Sequence, residues 1–195
     1  MDGRHVTAPS TAQGGPWEAV LFDRDGTLVE DVPYNGDPDR VRPMPGAAEA
    51  VALVRAAGIA TGVVSNQSGI GRGLLTADQV HRVNERVDAL LGPFGTWAVC
   101  PHAPQDGCPC RKPRPGLVRQ AARALGARPA GCVLIGDIGA DLGAARAAGA
   151  HGVIVPTPVT RPEEYADEPD AAPDLVTAVR RLLAAPVPEP GRRFR

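Results

Sequence analysis

The most informative segment of this chain is Val20-Leu21-Phe22-Asp23-Arg24-Asp25-Gly26-Thr27. The apolar run Ala19–Phe22 predicts a short buried strand, and the Gly-Thr pair ends that strand in a tight loop. Asp23 and Asp25 therefore follow the carboxyl end of a strand. In an open parallel sheet this edge is where ligands bind, so the two carboxylates are candidate functional groups.

A pair of carboxylates at this place suits phosphoryl transfer. One of them can attack phosphorus and bind a hard cation, while the other moves a proton. Two other interpretations are a charged turn after a core strand and a calcium loop, because Asp-x-Asp-Gly also begins an EF-hand. The glutamate that closes an EF-hand is absent, since Pro33 and Tyr34 stand near its position.

Strands and helices alternate along the chain, which predicts a doubly wound parallel α/β sheet. The predicted strands cover residues 19–22, 59–65, 96–100, 132–136 and 152–155. The predicted helices cover residues 46–57, 115–125, 140–148 and 175–184, and one more begins at a Thr76 and Gln79 capping-box spacing. We expect residues 17–185 to form a single domain between a flexible N-terminal tail, 1–16, and a flexible C-terminal tail, 186–195. Residues 30–45 contain several prolines and are predicted to cross over the site.

Length and charge limit the possible partners. The chain has 195 residues, enough for one substantial core, and a formal net charge of -1, which gives no basic footprint for nucleic acid. No apolar run approaches the length of a membrane span, and the N-terminal segment lacks an apolar signal core. We therefore expect a cytoplasmic monomer that acts on a small molecule and binds neither nucleic acid nor a membrane.

Three further segments carry reactive or ligand-binding side chains. They are Ser65-Asn66-Gln67-Ser68-Gly69-Ile70-Gly71-Arg72-Gly73, Cys100-Pro101-His102 with Cys108-Pro109-Cys110-Arg111-Lys112-Pro113, and Gly136-Asp137 with Asp141. Together with the first stretch, they make the chain resemble a phosphatase of the haloacid dehalogenase (HAD) superfamily. Within it, the chain is most similar to the group of heptose 1,7-bisphosphate phosphatases and histidinol phosphatases. The resemblance covers about residues 17–160.

The resemblance implies a HAD-like Rossmannoid fold without a cap domain, and a Mg²⁺-dependent reaction through an aspartyl-phosphate. Asp23 is then the nucleophile, and Asp25 protonates the leaving oxygen and later deprotonates water. The expected magnesium ligands are the carboxylates of Asp23 and Asp137 and the backbone carbonyl of Asp25. Ser65 is expected to hold phosphate oxygens, and Asn66 to orient the substrate.

Lys112 is the only lysine in the chain. Its retention in an arginine-rich chain indicates a site that needs a compact ammonium group rather than a planar fork. We expect Lys112 to pair with Asp23 and to neutralise charge on the transferred phosphoryl group. The neighbouring Arg111 can bind a substrate phosphate in a bidentate manner, and Arg72 is a weaker candidate for the same task.

The spacing of a zinc site is found in one Cys/His segment, at Cys100, His102, Cys108 and Cys110. Three thiolates and one imidazole complete a tetrahedral shell without an open position, so the zinc would be structural. It would fix the loop that carries Arg111 and Lys112. Disulfide pairing is the alternative, although cysteines in a cytoplasmic chain fit a metal site better. Cys132 is predicted to be a core residue.

Two positions near Asp137 leave alternatives open. Asp141 lies one helical turn later and could hold a metal-bound water, tie down the loop or serve as a helix cap. Ile138 stands where many members of the resembled group have lysine, so a charge contact near the phosphate is missing or comes from elsewhere. The histidines outside the Cys/His segment are predicted to be surface or packing residues; they are His5, His81 and His151.

The substrate remains open between two compounds. Arg72 and Arg111 favour a heptose 1,7-bisphosphate cleaved at C7, because a second phosphate needs an anion site. The acidic segment 30–37 favours histidinol phosphate, whose amine and imidazole need an acidic or aromatic receptor. Another small sugar phosphate is a further alternative, as is a non-catalytic zinc-stabilised binding module. Such a module would lack Asp23 or Asp25, and both are present.

Overall fold

The strand β1 (Ala19–Phe22) is buried along its whole length and forms the centre of a parallel sheet. The other strands are β2 (Ala60–Asn66), β3 (Thr96–Cys100), β4 (Cys132–Gly136) and β5 (His151–Ile154). Their order in the sheet is β3-β2-β1-β4-β5, and every neighbouring pair is parallel. The predicted doubly wound α/β arrangement is confirmed, and it places the carboxyl ends of all strands at one edge.

Helices cover both faces of this sheet. They are α1 (Ala47–Ala56), α2 (Ala77–Leu91), α3 (Gly116–Ala124), α4 (Gly139–Ala148) and α5 (Leu175–Ala184). Alternate side chains of β1 enter two separate cores: Val20 packs with residues of α1, α2 and α5, whereas Leu21 packs with residues of α3 and α4. A strand buried on both faces is continuously apolar, which explains why the run 19–22 has no polar alternation.

The computed structural model describes residues 17–184. The predicted tails, 1–16 and 186–195, and the side chain of His5 lie outside the described residues. The predicted bounds of β1, β3, β4 and α5 agree with the structure, and those of the other elements differ by one residue or so at an end. The Thr76 and Gln79 capping box at the start of α2 is present.

The segment between β1 and α1 crosses over the sheet edge, as predicted. It contains one short 3-10 turn, Pro38–Arg40, and is tied to itself by a bridge between Val29 and Pro43. Within residues 17–184, none of the helices combines the length and the apolar character needed to cross a lipid bilayer.

Candidate active site and Cys/His cluster

Asp23 lies directly after β1, at the edge where the strands end. Its backbone N–H donates to the carbonyl of Ile135 in β4 (2.9 Å), which holds the residue in the register of the sheet. Its side chain is buried, and Oδ1 lies 2.5 Å from Nζ of Lys112. The predicted pairing of these two residues is therefore present in the structure.

The ammonium group of Lys112 is surrounded by oxygen atoms. Besides Asp23, Nζ donates to the carbonyl of Val64 (3.0 Å) and lies 2.6 Å from Oδ1 of Asp141. The oxygens of Asp23 and Val64 accept hydrogen bonds from this ammonium group, whereas Oδ1 of Asp141 is its ion-pair partner without hydrogen-bond geometry. A planar guanidinium could not reach three such separate oxygens from one point, which agrees with the inference drawn from the single lysine.

Three carboxylates converge around this ammonium, those of Asp23, Asp137 and Asp141. Each offers an oxygen within 4.8 Å of the others. The backbone at residue 26 approaches the Asp137 carboxylate so closely that only glycine fits. Its φ is +78°, and a Cβ atom at Gly26 would lie 2.3 Å from Oδ2 of Asp137. Gly136 is equally constrained, since a Cβ there would lie 2.2 Å from Cγ of Asp141. The carboxylates of Asp137 and Asp141 therefore pack directly against backbone that has no room for a side chain.

The cluster carries more negative charge than its one cation balances. Burial raises the pKa of Asp23 to about 8, with Lys112 opposing the shift and the nearby carboxylates adding to it. Burial and the charge of Asp141 raise the pKa of Asp137 to about 7. Burial would lower the pKa of Lys112, but Asp141 and Asp23 outweigh it and raise that pKa. An anionic, oxygen-only donor set of this kind fits a hard divalent cation such as Mg²⁺.

The side chain of Asp25 points to a different set of partners. Its Oδ2 accepts a hydrogen bond from Nε2 of Gln67 (2.7 Å), and both of its oxygens accept from Nε of Arg24 (3.1 and 3.2 Å). Arg24 in turn donates from Nη1 to Oδ1 of Asn84 in α2 (2.7 Å). The predicted role of Asp25 in proton transfer stays a prediction, and its carboxylate is held by this network.

Sequence reasoning missed Arg24, Gln67 and Asn84 as members of the site. The middle residue of Asp-x-Asp reads as a solvent-facing turn position, yet Arg24 is only 2 % exposed. One signal was available: Asn84 lies four residues after Val80 and one after Val83, on the apolar face of its helix. A polar residue on a buried face needs a buried partner.

Ser65 and Asn66 lie at the end of β2, as predicted. The hydroxyl of Ser65 accepts a hydrogen bond from Nε2 of Gln67 (2.8 Å). The side-chain amide of Asn66 is bonded to the backbone of Lys112 at both ends, to its N–H (3.1 Å) and to its carbonyl (3.2 Å). Asn66 therefore holds the Lys112 loop in place, whereas its expected contact with substrate stays a prediction.

A cavity of about 230 Å³ opens beside Asp25. Its walls come from the crossover segment 31–35 and from the loop after β2, residues 66–69. Arg72 reaches the rim, where Nη1 donates to the hydroxyl of Tyr34 (2.5 Å). Asp31 is the acidic residue of the crossover segment in this wall, and burial together with the charge of Asp25 raises its pKa.

Arg111 carries an unused donor. Its Nη1 is buried and has no hydrogen-bond partner among the described residues. A buried polar atom without a partner is uncommon and costs free energy. The residue directly precedes Lys112 in the chain, so its possible contact with a substrate phosphate stays a prediction.

The predicted zinc ligands come together in space. The Sγ–Sγ distances are 3.6 Å for Cys100 and Cys108, 3.2 Å for Cys100 and Cys110, and 3.4 Å for Cys108 and Cys110. Nδ1 of His102 lies 3.6 Å from Sγ of Cys100 and 3.3 Å from that of Cys110. These separations approach the edge of about 3.8 Å that tetrahedral zinc with Zn–S bonds of about 2.3 Å requires.

The cysteines of this cluster are free thiols, so the disulfide alternative is absent from the structure. Burial raises the pKa of Cys100 to about 12, whereas hydrogen bonds outweigh burial at Cys108 and lower its pKa to about 7; the backbone N–H of Arg111 makes the strongest of them. The donor set, its spacing and one acidic thiol fit Zn²⁺. Cys132 lies apart, buried in β4, as predicted.

Asp141 caps its helix, which is one of the roles that the sequence left open, because its Oδ2 accepts from the backbone N–H of Ile138 (3.3 Å) at the start of α4. Its Oδ1 forms an ion pair with Lys112, a contact that the sequence did not predict. Ile138 itself is 38 % exposed at the edge of the site. The loop after β5 closes this side, because the hydroxyl of Thr160 donates to the carbonyl of Asp137 (2.9 Å).

The two other histidines within residues 17–184, His81 and His151, are a surface and a packing residue, as predicted. His81 is exposed on α2, where Nε2 lies 3.3 Å from Oε1 of Glu85. The ring of His151 stacks on Trp17 with a centroid distance of 5.3 Å, and its Nε2 lies 3.8 Å from Oδ2 of Asp170. Both have partners that the sequence did not reveal.

The chain is similar to a known family of hydrolases and to several named phosphatases. Residues 109–182 match a family model described as HAD-hydrolase-like. The chain is 39% identical over 143 residues to D-glycero-beta-D-manno-heptose-1,7-bisphosphate 7-phosphatase of Pseudomonas aeruginosa, covering 71% of this chain and 80% of that protein. The corresponding protein of Pseudomonas putida is 37% identical, with 71% and 82% covered.

A solved structure shows the same arrangement of elements. The crystal structure of D,D-heptose 1,7-bisphosphate phosphatase from B. bronchiseptica, complexed with magnesium and phosphate, superposes with a TM-score of 0.72 at 29% sequence identity. The alignment covers 85% of this chain and 98% of that one.

Proposed function

This chain belongs to the HAD-like hydrolase family, and from that premise we propose that it is a Mg²⁺-dependent phosphatase. Its proposed reaction removes the C7 phosphate of D-glycero-D-manno-heptose 1,7-bisphosphate. The observation that carries the proposal is the buried cluster in which Lys112 Nζ joins Asp23 and Asp141 beside Asp137. This arrangement supports the assignment of Asp23 as nucleophile and Lys112 as a fixed cation, next to a donor set suited to a metal ion.

Asp23 is the proposed nucleophile. Its carboxylate attacks phosphorus and forms an aspartyl-phosphate, which splits one difficult displacement into two easier ones. Lys112 holds the attacking carboxylate in place and offers positive charge to the oxygens of the transferred group. Burial keeps water away from this ion pair and strengthens the electrostatic interactions within it.

Asp25 is the proposed proton carrier. It lines the cavity where the remainder of the substrate would lie. It gives a proton to the leaving oxygen in the first step and takes one from the attacking water in the second. One residue can serve both steps because the proton it loses first is replaced in the second.

The proposed metal ligands are the carboxylates of Asp23 and Asp137 and the backbone carbonyl of Asp25. Bound Mg²⁺ would neutralise charge on the phosphoryl oxygens and orient them. The Cys/His cluster is proposed to hold one structural zinc, whose four ligands leave no position for substrate. Its last ligand, Cys110, is two residues from Lys112, so the zinc would fix the loop that supplies the catalytic ammonium.

The preference for a bisphosphate rests on Arg111 and Arg72. Arg111 has a buried donor with no partner within residues 17–184, and Arg72 donates to Tyr34 in the cavity wall. One observation supports histidinol phosphate as a second candidate: Asp31 and Tyr34 stand in the cavity wall, where an acid and an aromatic ring could receive an amine and an imidazole. We further propose that the domain is capless, so these loops alone shape the pocket.

A phosphate-release screen tests the proposal. The purified chain is assayed with Mg²⁺ against both anomers of the heptose 1,7-bisphosphate, histidinol phosphate and other sugar phosphates. We expect the highest kcat/KM for a heptose bisphosphate. Efficient turnover of histidinol phosphate, with none of either heptose anomer, would overturn the substrate assignment, and no release from any ester would overturn the proposed activity.

A further inference from the structure

Arg24 is a buried arginine whose guanidinium group lies between the carboxylate of Asp25 and the side-chain amide of Asn84. Its side chain is 2 % exposed, and its guanidinium group is committed on two sides. Nε and Nη2 face Asp25, with Nη2 3.0 Å from Oδ2, whereas Nη1 donates to Asn84 in α2. A guanidinium group held at both ends is fixed in position and direction.

The two oxygens of Asp25 are not equivalent in this arrangement. Three nitrogens surround Oδ2: Nε2 of Gln67 at 2.7 Å, Nη2 of Arg24 at 3.0 Å and Nε of Arg24 at 3.2 Å. Oδ1 has only Nε of Arg24, at 3.1 Å. A carboxylate oxygen accepts about two hydrogen bonds, so Oδ2 is saturated while Oδ1 retains capacity for a proton.

The network also adjoins the cavity. Arg24, Asp25 and Gln67 all line this 230 Å³ space, which on the proposed function would receive the leaving group of the phosphate ester. Its outer support is α2, because Asn84 is buried on that helix and 60 residues away from Arg24 in the chain. The network therefore connects a core helix to the group that exchanges protons with substrate.

We propose that Arg24 is a positioning residue that makes Oδ1 of Asp25 the proton-exchanging oxygen, and that Asn84 holds Arg24 in this orientation. The inference rests on the proposed phosphatase function. In the first step the bond between Asp23 and phosphorus forms, the bond to the leaving oxygen breaks, and the proton on Oδ1 moves to that oxygen. In the second step water bonds to phosphorus, the electron pair of the broken bond returns to Asp23, and a water proton moves to Oδ1.

The leaving group provides the test. An alkyl phosphate needs a proton on its leaving oxygen, whereas p-nitrophenolate departs without one. Arg24→Lys is compared with wild type on the heptose 1,7-bisphosphate and on p-nitrophenyl phosphate, with thermal melting measured in parallel. We expect kcat/KM to fall about tenfold or more for the sugar ester and less than about threefold for the aryl ester.

A second measurement on the same variant concerns the hydrolysis of the aspartyl-phosphate. If Asp25 loses its orientation in Arg24→Lys, the removal of a proton from water should also slow down. With p-nitrophenyl phosphate, Arg24→Lys should therefore release a burst of p-nitrophenolate equal to the enzyme concentration, followed by a slow steady state. A purely structural arginine predicts neither the burst nor the dependence on the leaving group.

Two more variants complete the design. Asn84→Ala removes only the hydrogen bond between Asn84 and Arg24. Its kcat/KM should fall more for the sugar ester than for the aryl ester, by a smaller factor than in Arg24→Lys. This variant replaces Arg24→Lys in the test if Arg24→Lys does not fold. Arg82→Lys is the matched control, because Arg82 lies on the exposed face of the same helix and pairs with Asp78.

Equal losses of kcat/KM on both esters, without a burst, would overturn the inference and leave the proposed phosphatase function intact. An inactive wild type would overturn the proposed function and the inference together.

Discussion

Nζ of Lys112 lies 2.5 Å from Oδ1 of Asp23, although the two residues are 89 positions apart in the chain. The lysine lies in the loop that follows the Cys/His cluster, while the aspartate directly follows the central strand. Both side chains are buried. The ion pair thus joins the two parts of the chain on which the proposed chemistry depends.

Lys112→Arg is expected to lower kcat by about 100-fold or more, a magnitude typical of losing one charged group at a transition state. Arginine keeps the charge, but its planar fork cannot place single donors on Asp23, Asp141 and the carbonyl of Val64. Steady-state phosphate release measures the effect. Arg119→Lys, an exchange in the opposite direction on the exposed face of α3, serves as the control. Near wild-type turnover of Lys112→Arg would mean that positive charge alone is sufficient.

Cys108→Ser is expected to lose the one zinc that we predict per wild-type chain, and to lower the melting temperature, because structural zinc contributes directly to folding. Activity should fall as well, since the same loop carries Lys112. Elemental analysis of the purified proteins provides the readout. Cys132→Ser is the control, because Cys132 lies outside the cluster and should keep the metal. Wild-type protein without zinc, or equal zinc in all three proteins, would refute the site.

Arg111→Ala is expected to reduce kcat/KM several-fold or more, and to reduce it further for a sugar bisphosphate than for a monophosphate. The second phosphate offers a charge-assisted partner that a simple ester lacks. Arg111→Lys keeps the charge without the bidentate fork and should recover part of the loss. Kinetics on both substrate types decide the matter. Losses of equal size on the two substrates would restrict Arg111 to the transferred phosphate.

Because of His151, the free energy of unfolding is expected to decrease as the pH falls below neutrality. Burial lowers its pKa, with Asp170 opposing the shift in part. Below pH of about 6.5 the unfolded chain therefore binds more protons at this position than the folded protein does. The stability from this residue is full above that pH and is lost as the pH falls through the lowered pKa.

The variant His151→Phe tests this pH dependence. Phenylalanine can keep the stacking on Trp17 but does not titrate. Melting temperatures of wild type and variant are compared between pH of about 7.5 and about 5.5. We expect a decrease of a few degrees in wild type that is smaller in the variant. Parallel decreases in the two proteins would show that other groups cause the acid sensitivity.

The sequence predicted those features that depend on local pattern. The apolar run Ala19–Phe22 and the spacing of the Cys/His ligands are properties of a few neighbouring residues, and both appear in the structure as expected. Asp137 was placed because it ends a recognisable strand, β4. The pairing of Lys112 with Asp23 came from the family resemblance rather than from spacing.

The features that escaped prediction depend on distant partners. Arg24 turns inward because Asn84, from a helix 60 residues later, accepts from it. The hydrogen bonds from both ends of the Asn66 amide to the backbone of Lys112, 46 residues away, were likewise not predicted. A hydrogen-bond partner at such a separation is set by the packing of helices on the sheet, and no local pattern encodes it.

The central claim is that Asp23 is the nucleophile. The most direct measurement is phosphate release by Asp23→Asn with saturating Mg²⁺ and heptose 1,7-bisphosphate, with thermal melting as the check on folding and Asp78→Asn as an exposed control. The amide has nearly the same size as the carboxylate but cannot form the aspartyl-phosphate. We expect no measurable turnover by a folded Asp23→Asn protein and wild-type turnover by Asp78→Asn. Phosphate release by Asp23→Asn at the wild-type rate would rule out Asp23 as the nucleophile.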